Sequence, residues 1–117
     1  MNNRKTGAYY EREAVHYLTE LGVRICDLNY RCRQGEIDII GYDGSCLVFF
    51  EVKARESLMG GYGAEAIDSK KQRKICRVAD YYRMKHGISE FTEMRYDCIA
   101  IDQGKIAWIK NAFEHIC

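Results

Sequence analysis

Near the N-terminus apolar residues recur every three or four positions: Tyr10, Ala14, Tyr17, Leu18 and Leu21. That spacing paints one face of a helix. Thr6 is the candidate cap at its start and Gly22 the stop at its end. The period then shortens to two. Residues 23–33 read as a strand with an irregular end, 36–42 as a second strand and 46–55 as a third. Asp43-Gly44 between apolar runs signals a hairpin. A two-residue turn there pairs Tyr42 with Ser45 and sets Asp38 opposite Phe49. After a glycine-rich connector (56–63), helical spacing returns over 64–86, with Ile67, Ile75, Val78 and Tyr82 as the stripe and Gly87 as the stop. Runs at 95–101 and 105–110, turning at Asp102-Gln103-Gly104, complete the chain. The order α-β-β-β-α-β-β predicts an α/β fold, a mixed sheet of about five strands flanked by two helices.

Charged residues interrupt these patterns at a few places. At about 100° per residue, Glu11 falls about 20° from Leu18, at the edge of the first helix's apolar stripe. A carboxylate turned toward a core needs a partner, because an unpaired buried charge costs several kcal/mol. On the second strand Glu36, Asp38 and Ile40 share one face, and Ile37 and Ile39 the other. On the third strand Leu47, Phe49, Glu51, Lys53 and Arg55 share a face. Glu51 then becomes the diagonal neighbour of Asp38, about 7–8 Å away. Two such acids repel unless a cation lies between them. Hard oxygen ligands select Mg²⁺ or Mn²⁺. Lys53, two residues beyond Glu51, is placed to orient attacking water or to offset charge developing on a phosphate. In the second helix Lys71 falls inside the apolar stripe, four residues from both Ile67 and Ile75. Plainer explanations stand beside these: Glu11 at the rim, Glu51 and Lys53 on a solvated face, Lys71 snorkelling to water.

With 117 residues the chain is long enough for one core and too short for two. No apolar run approaches the ~20 residues of a membrane span. Asn2, Asn3, Arg4 and Lys5 do not begin an apolar leader, so a cytoplasmic location is expected. Six cysteines (26, 32, 46, 76, 98 and 117) include no CxxC pair and read as reduced thiols, four of them in or beside strands. Net charge is only +1, so attraction to polyanions must be local. Arg31 with Arg33, Lys53 with Arg55, and Lys70, Lys71, Arg73, Lys74 with Arg77 are the clusters suited to phosphates. No GxSxG segment is present, and the histidines at 16, 86 and 115 have no evident nucleophile partner. Gly60-Gly61-Tyr62-Gly63 lacks the GK[ST] ending of a phosphate loop.

Gly35-Glu36-Ile37-Asp38, then Phe50-Glu51-Val52-Lys53-Ala54-Arg55 after a hairpin, with Glu11-Arg12-Glu13-Ala14 on a preceding helix, resembles the PD-(D/E)xK nuclease superfamily, particularly its Holliday-junction-resolvase type. More closely, the chain is similar to the YraN-like family of small bacterial proteins. The likeness covers nearly all of it, through Asn29-Tyr30-Arg31, Lys71-Gln72-Arg73, Arg95-Tyr96-Asp97 and Asn111-Ala112-Phe113. It implies a restriction-endonuclease-like fold, with metal ligation by Asp38 and Glu51, support from Glu11, and Lys53 as the catalytic lysine. Ile37 replaces the proline of the superfamily's "PD", and Tyr10 stands where relatives usually carry glycine. The implied activity is Mg²⁺- or Mn²⁺-dependent hydrolysis of nucleic acid, DNA foremost, with Arg31, Arg33, Arg55, Lys70, Lys71 and Arg73 as the contacts to it. A monomer and a homodimer both fit. The competing expectations are a nucleic-acid-binding module without turnover and a protein-interaction scaffold.

Overall fold

Strands β1 (Arg24–Cys32), β2 (Gly35–Asp43), β3 (Cys46–Arg55), β4 (Met94–Asp102) and β5 (Lys105–Phe113) form one sheet in sequence order. Helix α1 (Asn3–Glu20) precedes them, and α2 (Ser69–Lys85) lies between β3 and β4. The structure is a computed structural model that describes residues 3–55 and 67–116. Neighbouring strands are antiparallel except β3 and β4, which are parallel. A parallel pair needs a crossover, and α2 belongs to it. The α/β architecture and the order α-β-β-β-α-β-β are those the periodicity predicts.

The helices cover opposite faces. Ile75, Val78, Ala79 and Tyr82 of α2 pack with Ile40, Leu47, Phe49 and Tyr96. Ala14 and Leu18 of α1 pack with Ile39, Val48, Phe50 and Ile99. Central strands buried on both faces read as continuous apolar runs, as Leu47–Phe50 does. The described cysteines carry thiols, and Cys46, Cys76 and Cys98 serve as small hydrophobes in the core.

Several boundaries depart from expectation. Helix α1 begins at Asn3, so Thr6 lies within it and is not its cap. Helix α2 begins at Ser69 and not at 64; Asp68 caps it, its Oδ1 accepting the Lys71 N–H at 2.8 Å. Residues 64–66 and the connector lie outside the described residues. The hairpin turns at Gly44-Ser45, with Asp43 paired to Cys46 and Tyr42 to Leu47. Gly44 takes φ +64°, as the first turn position of a II′ hairpin requires. Asp43 stays in the strand because it accepts from Arg95 Nη2 at 2.9 Å and faces Lys110 Nζ at 3.5 Å. Strand β5 runs past Lys110 to Phe113. Asn111 turns left-handed (φ 56°) at a bulge, and its N–H is received by Asp97 at 2.8 Å.

Candidate active site

The β2–β3 ladder stops at the pair Ile39–Phe50. One residue further in that register, Asp38 faces Glu51, not Phe49 as the expected turn implied. There the Asp38 side chain takes over from the backbone, its Oδ2 accepting the Val52 N–H at 2.9 Å. The strand also turns over at this point. On β1, Asn29 lies between the pairs Leu28–Ile39 and Tyr30–Ile37 and adopts φ +51°, a conformation Asn tolerates better than most residues. Strict alternation breaks across it. Ile37 and Ile40 both pack on the α2 side while Ile39 packs on the α1 side, so Ile37 and Ile39 do not share a face. Asp38 sits at the crossover, within electrostatic range of groups on both faces.

Two carboxyls meet here. Glu51 is 5% exposed and shares a hydrogen bond with Asp38. Burial first, then the charge and hydrogen bond of Glu51, raise the Asp38 carboxyl to about 8, with the Val52 N–H pulling the other way and Glu11 adding a further upward push. The counter-charge is Lys71, whose Nζ lies 2.5 Å from Glu51 Oε2. Burial alone draws the Lys71 ammonium down; the bond to Glu51 and the charges of Glu51, Asp38 and Asp68 together leave it raised. These groups open into a cleft of about 410 Å³ walled by Glu36 and Asp68 and by Lys70, Lys71 and Lys74.

The other buried acid among the described residues shows by contrast what a structural carboxylate looks like. Asp97, fully buried, receives the Arg95 guanidinium at 2.8 and 3.1 Å, the Trp108 indole N–H at 2.8 Å and the Asn111 N–H at 2.8 Å. Every lone pair has a donor. Among the described residues, Asp38 and Glu51 instead face each other with the Val52 N–H on Asp38 and the Lys71 ammonium on Glu51.

Of the residues singled out from the sequence, Asp38 and Glu51 come together. Glu11 does not enter the cleft; it lines a separate groove with Arg12, Leu28 and Asn29, and only its field reaches Asp38. Lys53 is half-buried beside Ala100, outside the cleft's lining, and makes no ion pair among the described residues. The lysine that meets the acids is Lys71. Lys70 lines the cleft, whereas Arg73 is exposed on α2 away from it. Arg31 is exposed and paired with Glu36 at 3.1 Å, and Arg33 is exposed on the β1–β2 turn. Arg55 closes β3, and its side chain lies outside the described residues. Lys74, named from the sequence only as a member of a basic cluster, lines the cleft, and so does Asp68, which sequence reasoning missed although an Asp-Ser pair ahead of an apolar stripe is a cap signal.

Among the described residues no group of three or more His, Cys, Asp or Glu side chains is placed to hold a metal ion. The donor set is therefore the Asp38–Glu51 pair. Two carboxylates suit a hard cation that keeps much of its water, as Mg²⁺ does. Their mutual repulsion, which raises the Asp38 carboxyl and is eased by Lys71, is what such an ion would offset. No helix among the described residues is long and apolar enough to cross a membrane.

Residues 10–101 match the model of a family described as "Uncharacterised protein family UPF0102". The chain is 43% identical to a UPF0102 protein of Lachnoclostridium phytofermentans over 97% of each chain. It is 41% identical to one of Legionella pneumophila, covering 95% of this chain and 96% of that one. With one of Persephonella marina the identity is 44% over 89% of each. The chain therefore belongs to the UPF0102 family, the YraN-like family that its GEID and EVKxR segments resemble.

Proposed function

We propose that this protein is a divalent-cation-dependent phosphodiester hydrolase acting on nucleic acid, DNA foremost. One observation carries the reading: two carboxyls from adjacent strands are held against each other at the end of a ladder, in a lysine-walled cleft, with fewer donors among the described residues than the structural acid Asp97 collects. Asp38 and Glu51 would hold the ion. Bound there, Mg²⁺ or Mn²⁺ would polarise a phosphate oxygen and lower the pKa of water. The remaining roles fall to the chain's own residues. Lys71 Nζ, already on Glu51, offsets charge that builds on the phosphate during displacement. Lys70 and Lys74 hold flanking phosphates at the cleft wall. Lys53, two residues beyond Glu51 on the same strand, orients the attacking water. Glu11 keeps the local field negative and so favours a cation near Asp38.

A second reading, a nucleic-acid-binding module without turnover, draws on the placement of the lysines. Lys71 satisfies Glu51 where a cation would bind, and Lys53 stands outside the cleft. A panel of four-way junction, flap, single-stranded and duplex substrates, each with Mg²⁺, Mn²⁺ or chelator, separates the two. Hydrolysis requires cation-dependent products that vanish in Glu51→Gln. Binding without products on any substrate favours the module.

A further inference from the structure

A second groove, of about 580 Å³, lies between the C-terminal end of α2 and the β1–β2 turn. Tyr30, Arg31 and Arg33 form one bank, and Tyr81, Lys85 and His86 the other. Among the described residues no acid lines it, in contrast to the carboxylate cleft. Tyr30 and His86 are held by packing on Tyr82. Tyr30 stands edge-on to Tyr82 at 5.0 Å and 87°. His86 is exposed and lines the groove, with its ring stacked on Tyr82 at 4.0 Å and the Tyr30 ring 6.2 Å away at 64°. Lys85 Nζ lies 5.7 Å from the centre of the half-buried Tyr81 ring. Held rings and nearby cations form a pre-organised stacking platform.

The two concavities are joined. Gly35 and Glu36 line the carboxylate cleft while Arg31 to Gln34 line the groove, so the β1–β2 turn walls both. Along α2, Lys70, Lys74, Arg77, Tyr81 and Lys85 recur at i, i+4, i+7, i+11 and i+15, one continuous stripe. Its first two members line the cleft and its last two the groove. At 1.5 Å per residue the stripe is about 22 Å long. With a net charge of only +1, this is a local cationic track and not a general field.

A cationic track calls for a polyanion, and rings that line the groove call for a planar π-system. In a duplex the base faces are covered by their neighbours and only edges show in the grooves. Unpaired bases alone offer both features. We propose that this groove binds an unpaired stretch of nucleic acid, whose phosphates follow the α2 stripe toward the carboxylate cleft. What happens to the strand at the cleft rests on the hydrolase reading; the binding does not.

The test uses the full chain in chelator, where no cation-dependent cleavage interferes. Fluorescence anisotropy compares a labelled single strand of about 12 nucleotides with the blunt duplex of the same sequence. The single strand should bind more tightly. Tyr81→Leu and His86→Ala should each weaken it roughly 5- to 100-fold and leave duplex binding unchanged, while Tyr81→Phe, which keeps the ring, retains binding. Arg33→Ala and Lys85→Ala should flatten its salt dependence. Equal affinity for strand and duplex, or undiminished binding by Tyr81→Leu, overturns the proposal. So does displacement by polyglutamate as effective as by unlabelled single strand, which would make this a groove for acidic peptides. Single-strand binding without cleavage of any substrate would count against the hydrolase and leave the groove standing. Cleavage without single-strand preference would do the reverse.

Discussion

Replacing Asp38 by Asn removes a carboxyl whose proton the folded chain retains up to about pH 8, against 3.8 for the free group. Between those values the folded state holds a proton that the unfolded state has released. Wild-type stability therefore falls as pH rises past 3.8 and levels off above about 8, by at most ~1.4 kcal/mol per pH unit. Lys71 and the water of a half-open cleft moderate the loss, so roughly 2–4 kcal/mol by pH 8 is expected without metal. Asn matches the protonated acid in shape. Its carbonyl oxygen can still accept from the Val52 N–H, and its amide can donate to Glu51. Asp38→Asn should thus match wild type near pH 4 and exceed it by roughly 2–4 kcal/mol near pH 8. Urea denaturation in chelator across this range reads the difference from the midpoints at constant slope. A difference that does not grow with pH, or a variant weaker than wild type near pH 8, refutes the carboxyl-pair account of this cleft.

Asp97→Ala should cost about 3–5 kcal/mol by denaturant titration, because it strands the Arg95 guanidinium, the Trp108 N–H and the Asn111 N–H; a loss under about 1 kcal/mol would mean the β4–β5 bulge does not depend on it. Lys53→Ala should leave stability and cation binding intact while single-turnover cleavage falls roughly 10²–10⁴-fold. Lys53→Arg should restore it only in part, since a guanidinium does not give up its proton. Undiminished cleavage by Lys53→Ala would move the role to Lys71, which contacts Glu51 directly.

How far the sequence carries depends on which interactions set each feature. The order of elements follows from periodicity, and so does the shared face of Asp38 and Glu51. The turn moved by one residue, which shifts the pairing by two and by itself turns no side chain to the other face. It moved because Asp43 is held in its strand by Arg95 and Lys110, partners far away in the chain. The same shift brings Asp38 opposite Glu51, a contact that the expected register did not make. The break in alternation at Asp38 needs a left-handed Asn29, which Asn permits and does not dictate. Lys53 looked like the lysine of the site because strand spacing is legible in sequence. Lys71 reaches Glu51 only through the packing of α2 on the sheet, and its sole local sign was a charge within an apolar stripe.

The central claim is that Asp38 and Glu51 together hold a divalent cation, and Mn²⁺ titration followed by electron paramagnetic resonance tests it most directly. Bound Mn²⁺ loses the sharp signal of the free ion, so occupancy is read without substrate. The account predicts that wild type takes up Mn²⁺ in competition with Mg²⁺ and that the folded double variant Asp38→Asn with Glu51→Gln does not. Uptake by the double variant equal to that of wild type, or none by wild type, would contradict it.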